Sequence, residues 1–90
     1  MPVTEACQFS NITATGLVRT GPGQLLGLIV ASTSAGTLKL WDNTAGSGAV
    51  IVNTFTPFAA TFYPIPACFS NGLFVTVGGT LDCTLFYNPT

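Results

Sequence analysis

Two apolar runs flank an alternating segment in the middle of this chain. Residues 25–31 are hydrophobic except for Gly27. Leu38 and Leu40 then alternate with Lys39 and Trp41, and residues 49–52 form a second apolar run after the small-residue loop Ala45-Gly46-Ser47-Gly48. Short apolar or alternating runs bounded by turn residues mark β-strands. Ser34-Ala35-Gly36 has the composition of a three-residue hairpin loop with glycine in the left-handed position. That loop predicts Val30 opposite Leu40 and Ile29 opposite Trp41. Simple alternation places Leu26, Leu28 and Val30 on one face, and Leu25, Gly27, Ile29 and Ala31 on the other. A strand apolar on both faces is covered on both sides, and Gly27 marks a place where another backbone can come close.

The C-terminal third repeats the pattern. Leu73, Val75 and Val77 alternate with Phe74 and Thr76; Leu81, Cys83, Leu85 and Tyr87 alternate with Asp82, Thr84 and Phe86. A loop at Gly78-Gly79-Thr80 predicts a second hairpin with Val75 opposite Cys83, the register that keeps the faces segregated. Residues 11–20 are rich in β-branched side chains, and Gly21-Pro22-Gly23 interrupts them. Between residues 57 and 71, Pro57, Pro64 and Pro66 allow only an edge strand over 61–65 and an irregular connection, ending in the Asn71-Gly72 turn. Residues 1–6 read as a polar N-terminal arm and 7–90 as one domain, with a strand start over residues 7–10. The expectation is all-β: an antiparallel β-sandwich or jelly roll of seven to eight short strands.

Charge changes the picture from fold to association. Only 6% of the 90 residues are charged while 48% are hydrophobic, and no charged side chain lies between Asp42 and Asp82. An ordinary soluble domain carries about 25% charged residues, which oppose association. A chain this short buries only about two-thirds of its unfolded surface and usually adds disulfides, a metal or partner subunits. Three cysteines, with no secretory signal expected at the N-terminus, fit a disulfide framework poorly. Without histidine, and with Glu5, Asp42 and Asp82 scattered, no metal site is expected. A homo-oligomer is expected, with a trimer favoured. Arg19 and Lys39 make no basic patch, so no nucleic acid partner is expected, and no apolar run reaches the 18 or so residues of a membrane helix.

Candidate chemistry is correspondingly thin. A nucleophilic cysteine needs a base, and the chain has no histidine, so no enzyme activity, catalytic residue or cofactor is expected. Cys83, between Leu81 and Leu85, reads as a core thiol. Asp42-Asn43-Thr44 reads as a cap on a strand-ending turn, since a calcium site needs about six oxygens. Trp41 beside Asp42 and Asn43 has the groups of a sugar platform, but packing against Ile29 or a neighbouring subunit is the favoured reading.

The order QLLGLIVASTSAGTLKLWDNTAGSGAVIV followed by NGLFVTVGGTLDCTLFY resembles small virion proteins of tailed bacteriophages. In these, a strand ending Leu-x-Leu-aromatic-Asp-Asn-Thr precedes a small-residue loop. Leu38 to Thr44 and Asn71 to Tyr87 carry the resemblance, which spans roughly Ile12 to Tyr87. It implies a capsid decoration or cement protein, or a head-fibre component, with the major capsid protein as partner and the capsid surface as location after synthesis in the host cytoplasm. A receptor- or glycan-binding tip is the alternative. The expected contacts are Pro2, Val3 and Glu5 in the arm, then the second apolar face around Leu25, Ile29 and Trp41.

Overall fold

A computed structural model describes residues 8–89. Its strands are β1 (Gln8–Ile12), β2 (Gly16–Thr20), β3 (Gly23–Asp42), β4 (Ala49–Phe55), β5 (Thr61–Phe69) and β6 (Gly72–Pro89), with no helix among the described residues. All pairings are antiparallel and all six strands belong to one sheet. The all-β expectation holds, with six strands in place of seven to eight.

The count falls because neither expected hairpin forms. The chain bends at residues 34–36 and 78–80 without turning back, and β3 pairs with β6 along almost its whole length. Val30 lies opposite Cys83 and Leu40 opposite Val75, while Ser34 faces Thr80 and Thr37 faces Gly78. The two segments read as turns therefore meet each other. Ala35 and Gly79 both have positive φ there (55° and 67°), whereas Gly36, expected in the left-handed position, does not. A β carbon on Gly79 would collide with the carbonyl oxygen of Ala35, so glycine is required where β6 crosses β3.

Around this ribbon the remaining strands form two halves. In the first half the order is β1, the C-terminal part of β6, the N-terminal part of β3, then β5. In the second half it is β2, the N-terminal part of β6, the C-terminal part of β3, then β4. Eighteen steps along β3 from Gly23 to Trp41 match fifteen along β6 from Pro89 to Phe74, so β3 carries three extra residues at its register shifts. Such bulges bend a strand. Twenty residues of flat strand would span about 65 Å, yet the longest dimension of the molecule is 41 Å. Both ends of β3 reach the β5–β6 turn: Gly23 is the Cα partner of Phe69, and Asp42 accepts hydrogen bonds from Ser70 and Asn71.

The inward faces of both halves feed one core. Leu25, Leu28, Val30, Leu81, Cys83 and Leu85 come from the first half, and Leu38, Leu40, Leu73 and Val75 from the second, joined by Ile12 and Phe69. One expectation fails at the bulge between Leu25 and Gly27. Leu26 is the extra residue there, so Leu25 turns inward and Leu26 loses the core position that simple alternation gave it. Beyond the bulge the faces are as expected, with Leu28 and Val30 inward and Ile29 outward. The edge strand expected over 61–65 is present and extends to Phe69; its prolines are tolerated because β3 lies on one side only. Gly27 does admit a neighbouring backbone: a β carbon there would lie 2.6 Å from the Tyr63 carbonyl oxygen and 2.9 Å from the Phe62 ring.

Candidate interaction surface and turn latch

Because alternate residues of a strand point to opposite faces, the sheet's outside is set by the positions between the core residues. On the first half, cross-strand rows place Phe9 beside Phe86, Gly27 and Pro64, and Asn11 beside Thr84, Ile29 and Phe62. Phe9 is 73% exposed, Phe62 52% and Ile29 40%. The Phe62 ring leans over Gly27 towards Phe86, with centroids 6.4 Å apart. On the second half, one row runs Leu17, Phe74, Trp41, Val50, with Leu17 and Val50 exposed. Each half thus presents an apolar row to solvent.

Of the residues expected to meet a partner, Ile29 and Trp41 lie on this outward side, but on different halves of the sheet and not opposite each other. Ile29 pairs with Thr84 and Phe62; Trp41 pairs with Phe74 and Val50. Leu25 is a correction. It is fully buried in the core and offers no surface, because the bulge at Leu26 reverses its direction. Pro2, Val3 and Glu5, with the arm and Cys7, lie outside the described residues. Phe9 was missed. The strand start expected over residues 7–10 is present as β1, but one aromatic in so short a run carries no sign of which face it takes.

Trp41 is only partly buried. Its indole N–H donates to Thr76 Oγ1 at 3.0 Å, and the Lys39 ammonium sits 4.3 Å from the ring centroid. The cation takes up one face of the ring, as cation–π attraction favours, so that face is not free to stack a sugar.

Asp42 does more than end its strand. Its carboxylate accepts N–H hydrogen bonds from Ser70 (3.0 Å), Asn71 (2.8 Å) and Gly72 (3.4 Å), the turn between β5 and β6. Partial burial pushes its pKa up, but the three donors outweigh this and hold it below the ordinary 3.8. Asn43 closes the local loop instead, donating from Nδ2 to the Ser47 carbonyl at 2.6 Å while its Oδ1 accepts from the Thr44 N–H. The capping role expected of the Asp-Asn pair is thus split between two turns.

Cys83 is buried as expected. Desolvation, with a smaller effect from the Asp82 charge, pushes its thiol up to about 11, so it stays protonated at neutral pH. Cys68 is exposed on β5. Among the described residues no group of three metal-ligating side chains occurs, no pocket is enclosed, and no helix is long and apolar enough to cross a membrane. No family model, curated protein or solved structure matches this chain.

Proposed function

We propose that the chain is a structural virion protein of the tailed-bacteriophage type: a capsid decoration or cement protein that strengthens contacts between major capsid subunits as a homo-oligomer on the capsid surface. In this reading the two halves of the folded sheet act as the leaves of a β-sandwich. The observation that carries the proposal is the pair of apolar rows on the outside of the sheet, in a chain with two cationic and three anionic side chains in total. A surface so poor in charge suits contact with protein better than with solvent. Interface cores are depleted in charge and enriched in aromatic residues. A cement protein gains holding strength from many identical contacts, each burying on the order of 1,200–2,000 Å² in total.

The test is cosedimentation with tailed-bacteriophage capsids assembled from a major capsid protein, taken from the same genome as this chain. The full chain is expected to sediment with the particles and raise their disassembly temperature. Deleting residues 1–5 is expected to weaken attachment sharply while leaving the chain's own thermal transition nearly unchanged, since among the described residues the buried core begins at Ile12. Absence of binding by the full chain overturns the proposal. Full binding by the truncated chain moves the anchor from the arm to the outward rows.

A further inference from the structure

We infer that β1 is an edge through which two copies of the chain join, strand against antiparallel strand, across a two-fold axis. This deepens the assembly reading and rests on it only for the expectation that copies associate. A folded sheet of this kind has four edge strands, and exposed edges are normally guarded by prolines, bulges or charges because they can template pairing with another chain. Three of the four are guarded. β5 carries Pro64 and Pro66, which offer no N–H. β4 has two register shifts against β3, and β2 has one shift together with Arg19. β1 has none of these. Gln8, Phe9, Ser10, Asn11 and Ile12 pair with β6 in unbroken register, without proline or charge, and among the described residues no strand lies on the other side.

The side chains on this edge point to a second copy as the occupant. In an antiparallel pairing of β1 with itself about a two-fold axis through a residue pair, odd-numbered positions meet odd-numbered ones. Gln8, Ser10 and Ile12 of both copies then stay on the inward side, and Phe9 and Asn11 on the outward side. The joined sheet keeps its faces without any change of conformation. Phe9 has Phe86 as its neighbour on the β6 side, and its 73% exposure arises because the row stops there. Across the axis the row continues into the partner's Phe9 or Asn11, and no like charges meet on β1. A phenylalanine ring carries about 150–250 Å², so Phe9 offers roughly 100–180 Å² per copy. With five residues of strand, this falls short of the ~800 Å² per partner of a standard interface. The contact is therefore a reversible dimer, and its two-fold symmetry replaces the trimer expected from composition.

Sedimentation equilibrium over a dilution series of the full chain tests this. The mean mass is expected to move from the 9.3 kDa of one chain towards twice that value as concentration rises. Phe9→Lys, altering an exposed side chain, is expected to stay at one chain mass throughout. Val50→Lys, on an exposed position of the other half, is expected to dimerise like the parent. A parent that remains monomeric, a three-chain species, or loss of association in Val50→Lys but not in Phe9→Lys overturns the inference. Amide hydrogen exchange of the unaltered chain provides a readout independent of whether the variants fold. Protection across β1 is expected to rise with protein concentration, and protection that does not change overturns the inference. Capsid cosedimentation separates the two proposals: monomeric Phe9→Lys that still decorates particles leaves the cement role intact, whereas a dimer that never binds capsids removes that role alone.

Discussion

Gly79→Ala is expected to lower the stability of this chain by about 2–5 kcal/mol. Roughly 1–2 kcal/mol comes from forcing a side chain into a left-handed conformation. A further 1–3 kcal/mol or so comes from displacing packed backbone: the new β carbon meets the Ala35 carbonyl where β6 crosses β3. Net stabilities of about 5–15 kcal/mol are typical, so the transition temperature should drop by at least about 8 °C. Gly79→Asn separates the two causes. Asparagine tolerates the left-handed region, so it would be nearly neutral at the tip of an isolated hairpin. Here its β carbon still strikes Ala35, and a loss of about 1–3 kcal/mol is expected. Gly16→Ala is the control, because a β carbon at Gly16 has nothing within 4 Å. Thermal unfolding followed by circular dichroism reads all three. A Gly79→Asn variant as stable as Gly16→Ala would place residues 78–80 in a free turn.

Asp42→Ala is expected to cost about 2–3 kcal/mol, since hydrogen bonds to a charged group contribute about 1.5–3 kcal/mol and three turn donors lose their acceptor together. The consequence is global. The carboxylate ties the end of β3 to the turn from which β6 starts, and that turn is the junction between the two halves. The same bonds predict an acid limb. The Asp42 pKa is lowered in the folded state from 3.8, so its stabilisation is present in full above that value. It is lost as pH falls through 3.8 towards the lower folded value. The Asp42 contribution to the acid-induced fall in transition temperature, absent in Asp42→Asn, is the difference between their pH profiles from neutral to pH 3. Parallel profiles would show that the carboxylate is solvated rather than held by the turn.

These two positions show where the sequence was legible and where it was not. Alternation identified the inward residues well: Leu28, Val30, Leu38, Leu40, Leu73, Val75, Leu81, Cys83 and Leu85 all reach the core. It could not identify their partners. Val30 opposite Leu40 in a hairpin and Val30 opposite Cys83 in the ribbon set equally apolar residues against each other, and strand parity is satisfied both ways. The glycine-containing segments at 34–36 and 78–80 were legible as breaks in regular backbone. Whether such a break turns the chain or bends it depends on the strand lying across it, and that strand is more than forty positions away. Leu25 failed for a local reason: one extra residue in a bulge puts the side chains before it out of phase with those after it, and apolar Leu25-Leu26 gives no sign of which of the two is extra. For the interaction surface, Ile29 and Trp41 stand on the outward side, while Phe9, in the strand start expected over residues 7–10, carried no sign of its exposure. Asp42 was legible as a cap and Asn71-Gly72 as a turn, but not that the one caps the other across 28 to 30 residues.

The central claim is that β3 and β6 pair through both glycine-containing bends, since the Phe9 edge and both outward rows depend on that pairing. Cross-strand nuclear Overhauser effects measure it most directly. Backbone contacts linking Val30 with Cys83 and Leu40 with Val75 are expected, as are contacts between residues 34–37 and 78–80. Contacts linking Val30 with Leu40 and Val75 with Cys83 instead would mean two separate hairpins, and would contradict the account.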